Sequence, residues 1–112
     1  MLYRDCIEKL LQLKDVIVTN ILKYINSQPQ GVAEKIQGSA LSSGKADING
    51  CYKGHSIRIE VKTPDHGNKP SKKQELNLKR WRRAGAFCIS AYSLEDAKNL
   101  LADIDRFEEE HV

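Results

Sequence analysis

The sequence predicts an α/β fold, a mixed β-sheet of about four strands flanked by helices in the order α-β-β-β-α-β-α. Three observations carry this. Helical apolar spacing over residues 2–27, 71–85 and 93–110 brackets shorter stretches with strand-like alternation. A tight Lys53-Gly54 turn joins the second and third strands, which makes them antiparallel. A whole helix separates the third strand from the fourth, enough chain for a crossover to a parallel partner.

The elements follow in order. Leu2, Cys6 and Leu10 recur at i, i+4, i+8, and Val18, Ile21, Leu22 and Ile25 at i, i+3, i+4, i+7, giving one long helix or two with a break near Lys14–Asp15. "NSQPQG" ends it, and "VAEKIQ" is a short strand. "GSALSSGK" is a loop, too short to link two domains. Strands over 46–51 and 55–62 form the hairpin, and "TPDHGNKP" is a second loop. "SKKQELNLKRWRRAG" is a helix with a Ser71–Gln74 capping box and Gly85 as its stop. "AFCISA" is the fourth strand, and Ser93 caps the last helix. The chain divides into a helical extension, 1–13, and a single domain, 14–112.

Net charge is only +3, but its distribution is uneven. Seven basic residues and one acid lie between Lys69 and Arg83, while seven acids and two bases lie from Glu95 onward. A basic cluster on a balanced domain is either a nucleic-acid footprint or a solvated helix face. Cys6, Cys51 and Cys88 lack zinc-ligand spacing and read as reduced thiols of a cytosolic protein, and His55, His66 and His111 read as surface or loop residues. Neither a signal peptide nor a membrane span is expected.

The hairpin concentrates the chemistry. With Lys53-Gly54 as a two-residue turn, opposed residues have numbers summing to 107, so Asp47 faces Glu60, Ile48 faces Ile59 and Ala46 faces Val61. Ile57, Ile59 and Val61 then share one face, and Asp47, Glu60 and Lys62 the other. Opposed Cβ atoms lie roughly 4.5–5.5 Å apart, so two carboxylates repel there unless a cation neutralises them. A divalent metal such as Mg²⁺ takes such oxygen ligands, and Lys62 brings a second positive charge to the same face. Metal-bound water beside a cation is equipment for phosphodiester hydrolysis. A Glu-x-Lys triplet alone is weak evidence, and ordinary surface charge is the bland alternative.

The combination nevertheless resembles a known group. Asp47, followed thirteen positions later by "EVK" at Glu60–Lys62, resembles the D…(D/E)xK core of restriction-endonuclease-like nucleases. "GKADI", "IEVKTPD", "KPSKKQ" and "RAGA" follow one another as in the virus-type replication-repair nuclease (VRR-NUC) family of the PD-(D/E)xK superfamily. The resemblance covers residues 14–100. It implies a Mg²⁺- or Mn²⁺-dependent DNA endonuclease selective for junctions or branched DNA, bacterial or phage-encoded and acting in DNA repair or replication.

By that resemblance Asp47 and Glu60 are metal ligands, the Val61 backbone carbonyl is a third, and Lys62 positions water or stabilises developing phosphorane charge. Gln74 matches the glutamine opening the family's next helix; it also completes the capping box, and both roles stay open. Ala46 stands where the family has Pro. Lys14 stands where the family carries a Glu on its first helix, so Asp15 or Glu8 is the candidate to replace it. Lys45, Lys69, Lys72, Lys73, Lys79, Arg80 and Arg83 are candidate DNA contacts. Gln74, Leu78, Trp81 and Gly85 share one helix face, away from Lys72, Lys79, Arg80 and Arg83. A homodimer is expected if two strands are to be cut, with Leu76 and the apolar residues of Met1–Leu13 as the surface; packing of that segment on its own sheet is the alternative. A non-catalytic DNA-binding module with the same fold is the competing function. An RNA-directed accessory protein is a third, for which the few aromatic residues offer little stacking surface.

Overall fold

The computed structural model of the protein describes residues 3–36, 46–63 and 72–111, with side chains from residue 13 onward. The elements are α1 (Tyr3–Ser27), β1 (Gly31–Lys35), β2 (Ile48–Tyr52), β3 (His55–Val61), α2 (Lys72–Arg83), β4 (Phe87–Ala91) and α3 (Leu94–Glu110). The four strands form one sheet in the order β1-β2-β3-β4. β1–β2 and β2–β3 are antiparallel, and β3–β4 is parallel across the α2 crossover.

α1 is a single helix, without the break allowed near Lys14–Asp15, and it runs through the boundary between residues 13 and 14. Ile17, Val18, Ile21 and Ile25 hold one of its faces against the sheet. At its end Asn26 clamps the β1 edge: its side-chain amide donates to Ala33 O (3.0 Å) and its oxygen accepts from Ala33 N–H (2.9 Å).

The hairpin has the expected register, with Ile48 opposite Ile59. Lys53 and Gly54 both have positive φ, 50° and 83°, as a turn matched to strand twist requires. Gly85, at φ 106°, ends α2: its N–H donates to Arg82 O (3.0 Å) and the Ala86 N–H to Trp81 O (2.9 Å), the paired bonds of a Schellman cap. Ser93 holds the N-cap position of α3 but makes no side-chain cap bond. Asp96 reaches back instead and accepts from Tyr92 N–H at 2.7 Å.

The two sheet faces are packed differently. On one, α1 and α3 bury Ile48, Ile57, Ile59, Val61 and Ala91 together with Ala97, Leu100, Leu101 and Ile104. On the other, α2 rests on a smaller cluster of Ala46, Leu78 and Cys88. The acidic helix α3 also serves the hairpin: Asp105 accepts from the Tyr52 hydroxyl (2.9 Å) and pairs with Lys53, contacts that hold its carboxyl below the usual range. His55, expected at the surface, is half-buried; it pairs with Glu108 and meets Phe87 and Phe107 edge-on. Cys51 and Cys88 are free thiols. Among the described residues no helix is long and apolar enough to cross a membrane.

Candidate active site

The site is built where β3 leaves the hairpin, on the α2 side of the sheet. Alternation along β3 turns Ile57, Ile59 and Val61 toward the main core and leaves Arg58 and Glu60 facing α2. Asp47 stands one residue before β2, at a bend, and its carboxylate substitutes for a ladder acceptor: Oδ2 accepts from Val61 N–H at 2.8 Å. That bond ties Asp47 to β3 beside Glu60.

Glu60 is 1% exposed although it carries a carboxyl group. Gln74 Nε2, from the first turn of α2, donates to its Oε1 at 2.7 Å. Gln74 Oε1 accepts from Lys62 Nζ at 3.1 Å, and Lys62 Nζ lies 3.6 Å from Glu60 Oε1. Glutamine therefore bridges acid and base, and its two bonds fix which way the amide points. Glu60 Oε2 is buried and has no hydrogen-bond partner among the described residues. Burial first, then the negative charge of Asp47, push the Glu60 carboxyl up to about 7, against an opposing pull from Lys62.

A buried carboxylate oxygen without a donor, beside a second carboxylate, suits a hard divalent cation. Asp47 and Glu60 are the residues that could hold one. Among the described residues no group of three or more His, Cys, Asp or Glu side chains is placed to hold a metal ion. The described residues thus offer two carboxylates, a set that fits Mg²⁺ or Mn²⁺, ions that keep several waters.

The first-helix carboxylate is not Asp15. Its side chain is 73% exposed and turned toward Lys35, 4.0 Å away. Lys14 occupies that place: its Nζ lies 3.2 Å from Asp47 Oδ1. The helix presents residue 14 to the sheet and residue 15 to solvent, because successive residues diverge by about 100° around the axis. The side chain of Glu8, together with Lys45, Lys69 and Ser71, lies outside the described residues, and so does the Ser71–Gln74 capping box. What the structure shows of Gln74 is its contact with Glu60 and Lys62. Lys72, Lys73, Lys79, Arg80 and Arg83 are exposed along α2.

Sequence reasoning missed Arg58, Asn49, Asn77 and the buried Thr63. The Arg58 guanidinium stacks on Trp81, 3.8 Å from the ring centroid. Arg58 precedes Glu60 by two on the same strand face and Asn77 follows Gln74 by three on the same helix face, signals that were available.

No protein-family model matches the chain, and no curated protein matches it. Solved structures do. One, described as a VRR_NUC domain, aligns with a TM-score of 0.65 at 20% identity, covering 80% of this chain and 95% of its own. Another, a VRR_NUC domain protein, aligns with a TM-score of 0.60 at 14% identity, covering 84% and 86%. The chain is thus an α/β domain with a four-stranded mixed sheet. In particular, its fold is that of VRR_NUC domains, the family its motifs resemble.

Proposed function

We propose that this chain is a metal-dependent DNA endonuclease acting on branched DNA such as junctions or flaps, in a bacterial or phage-encoded, intracellular setting. The observation that carries the reading is the Asp47–Glu60 pair, with the buried, open Glu60 Oε2 and Lys62 beside it. Asp47 and Glu60, with the Val61 carbonyl, would hold Mg²⁺ or Mn²⁺. The ion would supply a water acidified for attack and charge neutralisation at the phosphate. Lys62 keeps an ammonium at the carboxylates, where it can stabilise negative charge growing on phosphate oxygens. Gln74 orients both partners. The exposed bases of α2 would bind the phosphate backbone without reading sequence. Cutting two strands in concert needs two copies of the site, so a twofold homodimer belongs to the proposal; light scattering should give about twice the 12.7 kDa chain mass.

One observation favours a second reading, a DNA-binding module without catalysis. Lys14 already neutralises Asp47 at 3.2 Å, where a metal would act. Linear duplex, flap and four-way-junction DNA incubated with Mg²⁺, Mn²⁺ or EDTA separates the two. Cleavage of branched DNA in metal, absent in EDTA and abolished by Asp47→Asn or Glu60→Gln, supports the nuclease. Unimpaired cleavage by Asp47→Asn overturns the assignment, and binding without cleavage in either cation establishes the module.

A further inference from the structure

A cavity of about 400 Å³ opens between the hairpin and α2, within the range of small-ligand sites (about 300–1,000 Å³). Asn49 and Arg58 line it from the hairpin, and Asn77, Arg80 and Trp81 from α2, with two alanines completing the wall. Among the described residues no carboxylate lines it. It lies beside the candidate active site: Arg58 is two residues from Glu60 on β3, and Asn77 is one turn beyond Gln74 on α2, about 5 Å along the axis. DNA advances about 3.4 Å per nucleotide along one strand, so the cavity stands one or two nucleotides from a phosphate at Glu60.

The lining has the chemistry of a nucleobase site. Trp81 and the Arg58 guanidinium stacked on it offer a flat π and guanidinium surface, and Trp81 remains 37% exposed. The Asn49 and Asn77 amides each present donors and an acceptor suited to a base edge. Arg80 adds a charge for the adjoining phosphate. Among the described residues the side chains of Asn49, Asn77 and Arg80 have no hydrogen-bond partner. A pure packing defect would be apolar; this one is lined by polar groups not yet engaged.

We infer that this cavity receives one unpaired nucleobase of the DNA, extruded from the stack next to the phosphate that would be cleaved at the Asp47–Glu60 site. The inference rests on the DNA-binding part of the proposed function and deepens it. A site that holds an unpaired base favours branched or bulged DNA over continuous duplex, because there the unstacking cost is already met.

Trp81 is the single tryptophan of the chain, so its emission reports on this cavity alone. In EDTA, where no cleavage interferes, the protein is titrated with a duplex bearing one bulged nucleotide and with its twin in which that nucleotide is abasic. The expected result is saturable quenching by the bulged base, and binding about tenfold tighter than to the abasic twin, the scale of one stacked base. Asn77→Ala, a substitution favourable to a helix, should reduce that preference and leave affinity for the abasic twin unchanged. Equal affinity for both DNAs without a difference in quenching overturns the pocket and leaves the nuclease reading intact. Base-dependent quenching in a protein that never cleaves keeps the pocket and overturns the nuclease. Binding to neither DNA overturns the pocket, while the nuclease reading stands or falls on cleavage in Mg²⁺ or Mn²⁺.

Discussion

The two faces of the sheet use one strand for opposite ends. Toward α1 and α3, β3 contributes Ile57, Ile59 and Val61, all completely buried in an apolar layer. Toward α2 it contributes Arg58 and Glu60, where the buried apolar cluster is small and the remaining space holds charges and a cavity. Burial is nearly the same for Ile59 and Glu60, yet it stabilises the fold in the first case and opposes it in the second. The lesson is that burial by itself does not mark a core. What the buried group is paired with decides whether it holds the fold together or is poised for a ligand.

The two faces differ most at adjacent residues of β3. Ile59→Ala should cost about 2–5 kcal/mol in urea unfolding, a large share of a small domain's stability. Glu60→Gln keeps the shape and removes a charge, so its unfolding midpoint should not fall. Equal destabilisation by both would mean that the α2 face is core as well.

A pH series sharpens the same contrast. Glu60 titrates near 4.5 when unfolded and near 7 when folded. Between those values the folded chain holds a proton the unfolded chain has lost, so stability should fall as pH rises from about 4.5 to about 7 and level off above. The expected loss is on the order of 3 kcal/mol, measured in EDTA, and Glu60→Gln should show none of it. A wild-type profile that is flat across this window would show that Lys62 and Gln74 fully offset the burial.

The next effect is smaller. Removing the Lys14 ammonium by Lys14→Ala frees Asp47 Oδ1, and Mn²⁺ binding by calorimetry should tighten a few-fold, about 1 kcal/mol for a partly exposed pair. Weaker binding would make Lys14 a support of the site. The smallest change per residue concerns α2. Neutralising Lys72, Lys79 or Arg83 should lower the salt dependence of duplex binding by about 0.9 log–log units for each phosphate that the protein no longer neutralises. An unchanged slope would leave these residues as a solvated face.

The order of elements and the hairpin were legible because their signals are local. Alternation in "SIRIEVK" sets which residues of β3 share a face, and a turn with two positive φ angles sets the register that brings Asp47 to Glu60. Gly85 likewise announced the end of α2. Other features were not legible. Whether α1 broke at Lys14–Asp15 was one of them, since apolar spacing recurs on both sides of that point and does not fix whether the two stretches join in one helix.

The alternation and the turn alone determined that two carboxylates and a lysine would meet on one sheet face, because strand period and hairpin register need no information from distant chain. Only the tertiary structure decided their neighbours. It brought Lys14 across from α1 to Asp47, inserted Gln74 between Glu60 and Lys62, and stacked Arg58 on Trp81 beside an open cavity. Those contacts join residues far apart in the chain, and their geometry follows from where three helices dock on the sheet. Docking is set by summed packing over many side chains, a quantity that no short sequence pattern encodes.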